Sequence, residues 1–194
     1  MTTTAAIVLA GGRSSRLGRP KQLVEVDGVL LLQRVVDAVR SWPVDPVVVV
    51  LGSGADDILE AIDFGEATVA VNDDWGEGIA SSLRVGLDIL SRDSKLTHVL
   101  VALGDQPSIP NEVPQRLIEA AMDTTKQAVV PVYRYDRGNP VLLERSLWER
   151  LMTLEGDTGA SAFLAAHPRV VEEVRFDHMP PRDIDTEFDV ADLD

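Results

Sequence analysis

The chain has 194 residues, of which 45% are hydrophobic and 26% charged, a composition typical of a globular domain rather than a disordered chain. It contains no cysteine, which excludes disulfide bonds and thiolate chemistry, and its three histidines lack the spacing of a zinc site. The net charge of −14 argues against binding to nucleic acid or to an anionic membrane surface.

Apolar segments of strand length alternate with segments of helical periodicity. Several strand segments are apolar at nearly every position, which is typical of strands buried on both faces of a parallel sheet. The alternation predicts one α/β domain over residues 1–194, with a Rossmann-like, doubly wound, mostly parallel sheet flanked by helices. We predict strands at 5–9, 46–51, 67–71, 98–103 and 127–133, and helices at 30–41, 55–62, 79–90 and 111–124.

The pattern changes after residue 133. A polar loop is followed by segments with helical, strand-like and extended character, and three of the last six residues are aspartates. We expect residues 134–182 to form a small substrate-binding insertion near the C-terminus. Within and after it, the pattern predicts a loop at 134–140, helices at 144–154 and 161–167, a strand at 170–176 and an extended segment at 183–185.

The loop after the first predicted strand is the clearest candidate binding site. Gly11 and Gly12 let the backbone turn sharply and bring its N–H groups close to phosphate oxygens. Four cations follow within nine residues of an otherwise acidic chain, which indicates a pocket for a small anion such as a triphosphate: Arg13, Arg16, Arg19 and Lys21. The loop is neither a Walker loop nor a dinucleotide-binding loop, and the alternative is an ordinary surface loop.

Asp105 follows the most apolar predicted strand. Ligands of open α/β sheets bind at the carboxyl ends of strands, and Mg²⁺ is held by one or two carboxylates together with substrate phosphates. Asp105 is therefore a candidate magnesium ligand, with capping of the turn before Pro107 as the alternative. Asp183 and Asp185 are two apart on an extended segment, so both point to one face and repel unless a cation lies nearby. The alternative there is an acidic, solvated edge.

Two further segments precede or open predicted helices. Ser81 and Ser82 lie where a helix N-terminus binds an anion, although ordinary helix capping is the alternative. Asp157 follows a glycine and precedes another helix, so it is a candidate helix cap.

The segment from Leu9 to Lys21 resembles the Leu-x-x-Gly-x-x-x-Arg-x-Gly-x-x-Lys loop of nucleotidyltransferases related to those of molybdenum cofactor synthesis. These include the molybdenum cofactor cytidylyltransferase and guanylyltransferase and, more distantly, the sugar-nucleotide pyrophosphorylases. Four further motifs resemble elements of the cytidylyltransferase in the same order: Asn72–Arg84, Gly138–Val141, Gly156–Ala160 and Asp183–Thr186.

This resemblance implies a Mg²⁺-dependent enzyme that joins an NMP from CTP or GTP to a small phosphorylated acceptor, molybdopterin, and releases pyrophosphate. We expect a cytoplasmic location, because the chain has no cysteine and a reducing compartment is consistent with that composition. It implies catalytic roles for Lys21, Arg16 and Asp105, and magnesium ligation by Asp105 and Asp185. A molybdoenzyme is an implied partner. The implied substrate-binding residues are Leu9, Ala10, Gly11, Gly12, Arg13, Ser14, Lys21, Ser81, Ser82, Arg84, Asn139 and Asp157.

The chain also departs from the family pattern. Gly11 resembles the guanylyltransferase form, whereas Pro20 before Lys21 and the later motifs resemble the cytidylyltransferase, so CTP is favoured over GTP. Thr158 and Ser161 stand where the cofactor enzymes commonly carry arginines. Two alternatives therefore stay open. One is a guanylyltransferase acting on a deazaflavin cofactor precursor or a sugar phosphate, and the other is a non-catalytic nucleotide-binding cofactor chaperone.

Overall fold

A computed structural model describes residues 3–12 and 20–184. Its strands are β1 (Thr4–Ala10), β2 (Glu25–Val26), β3 (Val29–Leu30), β4 (Val47–Leu51), β5 (Thr68–Val71), β6 (His98–Leu103), β7 (Ala128–Tyr133), β8 (Asp136–Arg137), β9 (Val141–Glu144) and β10 (Val171–Phe176). Its α-helices are α1 (Leu31–Arg40), α2 (Ala55–Ala61), α3 (Ile79–Ser91), α4 (Glu112–Asp123), α5 (Trp148–Leu151) and α6 (Ala160–Ala166).

The main sheet has the strand order β10-β7-β9-β6-β1-β4-β5, with the short β8 paired to β7. The pairs β1–β4, β1–β6, β4–β5 and β7–β10 are parallel. Only β9 and β8 are antiparallel to their neighbours among the described strands of this sheet. The predicted mostly parallel α/β sheet is therefore confirmed.

Helices cover both faces of the sheet. Alternate residues of β1 belong to opposite layers: Val8 packs in the layer of α1, α2 and α4, and Ile7 packs in the layer of α3, α5 and α6. Both side chains are fully buried, and each such burial stabilises the fold by about 1.5–3 kcal/mol. This double burial explains why the strand is apolar at every position. None of the helices in residues 3–12 and 20–184 has the length and apolarity to cross a membrane.

The chain reverses its direction across the sheet after β5. From β1 it proceeds through α1 to β4 and through α2 to β5, and α3 then carries it back to β6 on the other side of β1. The boundary between β1 and β6 is thus the point where the winding reverses. In open α/β sheets, ligands bind in the crevice at the carboxyl ends of the strands at such a point.

Residues 134–182 do not stand apart from this sheet. They supply β9, which lies between β6 and β7, and the edge strand β10. The helix predicted over 144–154 is confirmed over 145–151, where the 3-10 helix Arg145–Leu147 continues into the α-helix Trp148–Leu151, but it begins one residue later and ends three residues earlier than predicted. Glu144 belongs to β9, a strand that was not predicted. The run Val141–Leu143 is apolar because both faces of β9 are buried, and such a short run fits a strand or a helix equally well. The substrate-binding role of the segment stays a prediction.

A small hairpin, β2–β3, was not predicted. Its two-residue turn is Asp27-Gly28, and both residues have positive φ angles, 46° and 75°. Two-residue hairpin turns require this backbone geometry, which Asp-Gly pairs adopt readily. The Asp-Gly pair between Val26 and Val29 is therefore the signal by which the hairpin could have been found.

Candidate active site

A cavity of about 450 Å³ opens at the carboxyl ends of β1 and β6. This volume lies in the range of small-molecule sites, and the position is where the winding of the sheet reverses. The structure brings eight of the residues named in the sequence analysis to its wall: Leu9, Ala10, Gly11, Gly12, Lys21, Ser82, Asp105 and Asp157.

An ion pair spans this wall. The Lys21 ammonium donates a hydrogen bond to Asp105 Oδ2, and each side chain is 17% exposed. The second carboxylate oxygen, Asp105 Oδ1, is buried, and no group in the described ranges donates a hydrogen bond to it. An unsatisfied buried acceptor is costly, so this oxygen is suited to a cation that arrives with the substrate.

Glycines follow the ends of β1 and β4, where close contacts leave little room for a side chain. A Cβ at Gly11 would lie 2.9 Å from Ser82 Oγ, and a Cβ at Gly52 would lie 2.6 Å from the Gly11 carbonyl oxygen. Because no side chains intervene, the backbone of the first loop forms part of the cavity wall. Gly11 was a predicted site residue, whereas Gly52 was not, although its position directly after a buried strand is a signal by which it could have been found.

Gln22 fixes the turn that carries Lys21. This side chain is 2% exposed, and its Nε2 donates a hydrogen bond of 2.6 Å to the carbonyl oxygen of Ala10. The bond ties the short helical turn Lys21–Leu23 to the end of β1. Gln22 was not predicted as a site residue, because a polar residue beside a lysine carries no sequence signal of burial.

The C-terminal segment docks beside Asp105. The backbone N–H of Ile184 donates to the Asp105 carbonyl oxygen at 3.1 Å, and Gln106 Nε2 donates to Asp183 Oδ1 at 2.7 Å. Ile184 is fully buried in a small cluster with Val26 and Leu31. The predicted magnesium ligand Asp185 lies outside the described residues, as do three predicted residues of the first loop, Arg13, Ser14 and Arg16.

A buried polar network shapes the start of α3. Asn72, which is 3% exposed, donates through Nδ2 to Ser81 Oγ at 2.8 Å and to Ser82 Oγ at 3.0 Å. Neither serine caps the helix, because Gly78 occupies the N-cap position of α3 and no side chain caps it. Ser82 lies on the cavity wall, whereas the structure does not bring Ser81 to it.

Arg84 does not line this cavity with the other predicted residues. Its guanidinium donates to the Leu154 carbonyl oxygen at 2.7 Å and to Glu77 Oε2 at 2.9 Å. It lines a neighbouring cavity of about 560 Å³ instead. Because α3 directs Arg84 toward the turn at 154–156, the guanidinium charge is used there and does not face the first loop.

Asp157 and Asn139 have different surroundings. Asp157 is exposed on the wall of the main cavity and does not cap α6, whose N-cap residue is Gly159. Asn139 is not on that wall; its carbonyl oxygen accepts a hydrogen bond from the Tyr133 hydroxyl at 2.6 Å. Burial raises the pKa of Tyr133, which keeps this hydroxyl protonated as a donor. Because Val141 pairs with Val101, Asn139 lies at the same end of β6 as the cavity.

The ligands available near Asp105 suit a hard divalent cation. Among the described residues no group of three or more His, Cys, Asp or Glu side chains converges as a metal site. Asp105 offers one unpartnered carboxylate oxygen, and the chain has no cysteine. Coordination by one or two protein carboxylates together with substrate phosphates is typical of Mg²⁺ or Mn²⁺ rather than of zinc.

The chain is similar to proteins of known family. A curated relative, the bifunctional protein GlmU of Desulfitobacterium hafniense, is 29% identical over 147 residues, which cover 75% of this chain and 31% of the relative. The chain spans 29–31% of the length of the first curated relatives that it matches.

Solved structures extend this similarity over the whole chain. The Rv0371c protein of Mycobacterium tuberculosis H37Rv superposes with a TM-score of 0.87 at 30% identity, covering 99% of this chain and 97% of that chain. A complex of Rv0371c with manganese gives a TM-score of 0.85 at 28% identity, covering 99% of this chain and 98% of that chain. The 4-diphosphocytidyl-2C-methyl-D-erythritol synthase of Anaerococcus prevotii shares the fold, with a TM-score of 0.76 at 19% identity and coverage of 99% and 94%.

Residues 6–170 match the family described as the MobA-like NTP transferase domain. That match contains most of β1, the residues of the cavity wall and Asp105, so the family assignment covers the candidate site. The chain belongs to the MobA-like NTP transferase family of nucleotidyltransferases.

Proposed function

We propose that this protein is a divalent-metal-dependent nucleotidyltransferase that joins an NMP from a nucleoside triphosphate to a phosphorylated acceptor and releases pyrophosphate. The ion pair of Lys21 with Asp105, in the cavity at the carboxyl ends of β1 and β6, is the observation that carries the proposal. Lys21 is a cation that can pair with a triphosphate, and Asp105 has a carboxylate oxygen that is available to a metal. A pocket for a neutral small molecule would need neither.

In this mechanism Lys21 exchanges its partner. It leaves the Asp105 carboxylate and pairs with phosphate oxygens, where it stabilises the charge that develops on departing pyrophosphate. The backbone of Gly11 and Gly12 holds the phosphates, because neither residue has a side chain to keep them away. Asp105, together with Asp185, would hold the metal. A bound divalent cation supplies charge neutralisation of the triphosphate and the acceptor phosphate.

The chemical step needs no general base from the protein. An oxygen of the acceptor phosphate forms a bond to the α-phosphorus, and the bond from the α-phosphorus to the bridging oxygen of pyrophosphate breaks. The electron pair of that bond leaves with pyrophosphate. Because a phosphate monoester is already ionised near neutral pH, the residues of the site need only position the two substrates and stabilise charge.

CTP is the favoured nucleotide. Pro20 before Lys21 and the later motifs resemble the cytidylyltransferase, and the fold is shared with a synthase named for its diphosphocytidyl product. Gly11 was the residue that favoured GTP. In the structure its lack of a side chain has a packing reason, since a Cβ there would lie 2.9 Å from Ser82 Oγ. Gly11 therefore carries little weight for GTP.

The proposed acceptor is the phosphate of molybdopterin, on the basis of the motif order, with a molybdoenzyme as the eventual recipient. Asp157 on the cavity wall and the loop of Asn139 beyond the end of β6 are the proposed acceptor contacts. Ser161 stands where the cofactor enzymes carry an arginine, and here it donates to Asn139 Oδ1 at 3.2 Å. A smaller acceptor, such as a sugar phosphate or a deazaflavin precursor, is the second candidate because of this missing cation.

Thermal-shift titration of CTP, GTP, ATP and UTP, each with Mg²⁺ or Mn²⁺, tests the nucleotide assignment. A ligand at 100 times its Kd stabilises the folded state by about 2.7 kcal/mol, which is readily measured. We expect the largest shift with CTP and a metal. Negligible shifts with all four nucleotides would contradict the proposal. Pyrophosphate release with supplied acceptors then separates an enzyme from a nucleotide-binding chaperone.

A further inference from the structure

The orientation of the Asn72 amide is fixed by its neighbours. The backbone N–H of Asp74 lies 3.1 Å from Asn72 Oδ1, and a backbone N–H can only donate. The atom that faces Asp74 is therefore the carbonyl oxygen, and the NH₂ group faces the two serines. It follows that the hydroxyl oxygens of Ser81 and Ser82 both accept hydrogen bonds from Asn72.

The two serines differ in what their own hydroxyl hydrogens do. Ser81 Oγ lies 2.8 Å from the Gly78 carbonyl oxygen and 3.0 Å from the Asp74 carbonyl oxygen, so its hydrogen is donated to the backbone. For Ser82, the bond from Asn72 is the only side-chain hydrogen bond found within the described residues. A hydroxyl carries one donor, and that of Ser82 is left for another acceptor.

Ser82 also has a position that Ser81 lacks. It lies on the wall of the main cavity, opposite the first loop, where its Oγ would be 2.9 Å from a Cβ at Gly11. Its side chain is 4% exposed in the absence of ligand. Because Asn72 donates to the Ser82 oxygen, the hydroxyl hydrogen cannot point at Asn72 and is available to an oxygen of the ligand.

We propose that Asn72 is a positioning residue for nucleotide binding, because its NH₂ group occupies one acceptor position of Ser82 and leaves the Ser82 hydroxyl hydrogen to be donated to an oxygen of the nucleoside triphosphate. This inference rests on the proposed function. The shared chemistry of the ligand is an oxygen acceptor, which is either a base carbonyl or a phosphate oxygen. Asn72 itself makes no contact with the nucleotide in this proposal; it acts through Ser82.

The substitution Asn72→Asp tests the direction of this hydrogen bond while it preserves the shape of the side chain. The introduced carboxylate still accepts from the Asp74 N–H, but it can no longer donate to the serines. The Ser82 hydroxyl then donates to the carboxylate instead of to the nucleotide. We expect nucleotide affinity, measured by calorimetry with metal present, to fall about tenfold, the value of one hydrogen bond to a charged or carbonyl oxygen.

Ser82→Ala should lower nucleotide affinity by the same factor, and the double variant should lose little more than either single variant. Ser81→Ala is the matched comparison, because its hydroxyl is donated to the backbone, and its effect on affinity should be several-fold smaller. Thermal denaturation without ligand monitors the fold of each variant. If Asn72→Asp does not fold, the comparison of Ser82→Ala with Ser81→Ala still tests the step on which the inference depends, namely that the Ser82 hydroxyl donates to the nucleotide.

Wild-type affinity in Asn72→Asp, additive losses in the double variant, or equal losses in the two serine variants would each overturn the inference. Failure of the wild type to bind any nucleotide would instead contradict the proposed function. Inorganic triphosphate with metal distinguishes the two sources of the acceptor oxygen. A loss seen with triphosphate assigns the bond to a phosphate oxygen, and a loss seen only with CTP assigns it to the base; either pattern supports the role of Asn72.

Discussion

The ammonium group of Lys21 and the carboxylate of Asp105 form an ion pair, although 84 residues separate them in the chain. Lys21 follows the loop after β1, and Asp105 follows the end of β6. Adjacent parallel strands bring their carboxyl ends together, so the pair is a direct result of the β1–β6 register, in which Leu9 lies opposite Leu103. In the absence of substrate, the two groups neutralise each other's charge.

Replacement of Asp105 by asparagine tests the carboxylate. The amide has the same shape but no negative charge, so we expect pyrophosphate release to fall by about 10²-fold or more while the fold survives. Asp88→Asn is the control, because the Asp88 carboxylate on α3 is exposed and pairs with Arg92 outside the cavity. Comparable activity of Asp105→Asn and Asp88→Asn would remove Asp105 from the site.

Replacement of Lys21 by methionine should have opposite effects on two ligands. Triphosphate affinity should fall, because the cation that pairs with phosphate is lost. Affinity for Mn²⁺ alone should rise several-fold, because no ammonium group then competes for the Asp105 carboxylate. Calorimetry with Mn²⁺, and separately with triphosphate in the presence of metal, measures the two changes. A fall in both affinities would show that Lys21 does not compete with the metal.

Replacement by alanine should affect the stability of the protein differently at two glycines of the cavity wall. Gly78 has a φ angle of 103°, and a Cβ there would lie 2.4 Å from the Gly156 carbonyl group, so Gly78→Ala should lower the free energy of unfolding by about 2–4 kcal/mol. A Cβ at Gly12 meets no atom within 4 Å, so Gly12→Ala should change stability by less than about 0.5 kcal/mol. It should nevertheless weaken nucleotide binding, because Gly12 lies on the cavity wall and its backbone is the proposed phosphate contact. Chemical denaturation and thermal-shift titration separate the two effects; equal unfolding free energies would contradict this contrast.

The pH dependence of stability should include a contribution from His98. Burial lowers the pKa of His98 below 6.5, and the opposing attraction of Glu144 is the smaller effect. Since the folded state disfavours the charged imidazole, protonation opposes folding: stability is unaffected well above pH 6.5 and falls as the pH drops through 6.5 toward the folded-state pKa. His98→Gln should therefore lose less stability than the wild type between about pH 8 and about pH 5.5. Parallel pH profiles of the two proteins in chemical denaturation would contradict this assignment.

The parts of the fold that could be predicted from the sequence are those specified by local pattern. The strand Val47–Leu51 consists of four valines and a leucine buried on both faces, and the β-branched valines favour a strand over a helix. Asp105 was predictable from its place after a strand of the same kind. By contrast, Val141–Leu143 has an equally apolar run, but its place between β6 and β7 depends on partners distant in sequence.

Site residues that depend on tertiary contacts were harder to predict. Arg84 carries the right charge and lies on the right helix, yet Glu77 and the Leu154 carbonyl oxygen engage it. Gln22 has no charge and no motif, yet its amide ties the Lys21 turn to β1. In both cases the partner is a residue whose position relative to the helix or loop is not encoded by spacing along the chain.

The place of β9 in the sheet has a consequence for the order of assembly. The strands β5, β4, β1 and β6 can form with the first 103 residues, but β6 then has an open edge until β9, which begins 38 residues after β6 ends, pairs with it. The open edge of a strand such as β6, which is apolar at every position after His98, is a template for pairing with another chain. During synthesis, the nascent protein therefore passes through a stage in which its central strand is liable to aggregate, and the arrival of Val141–Glu144 ends that stage.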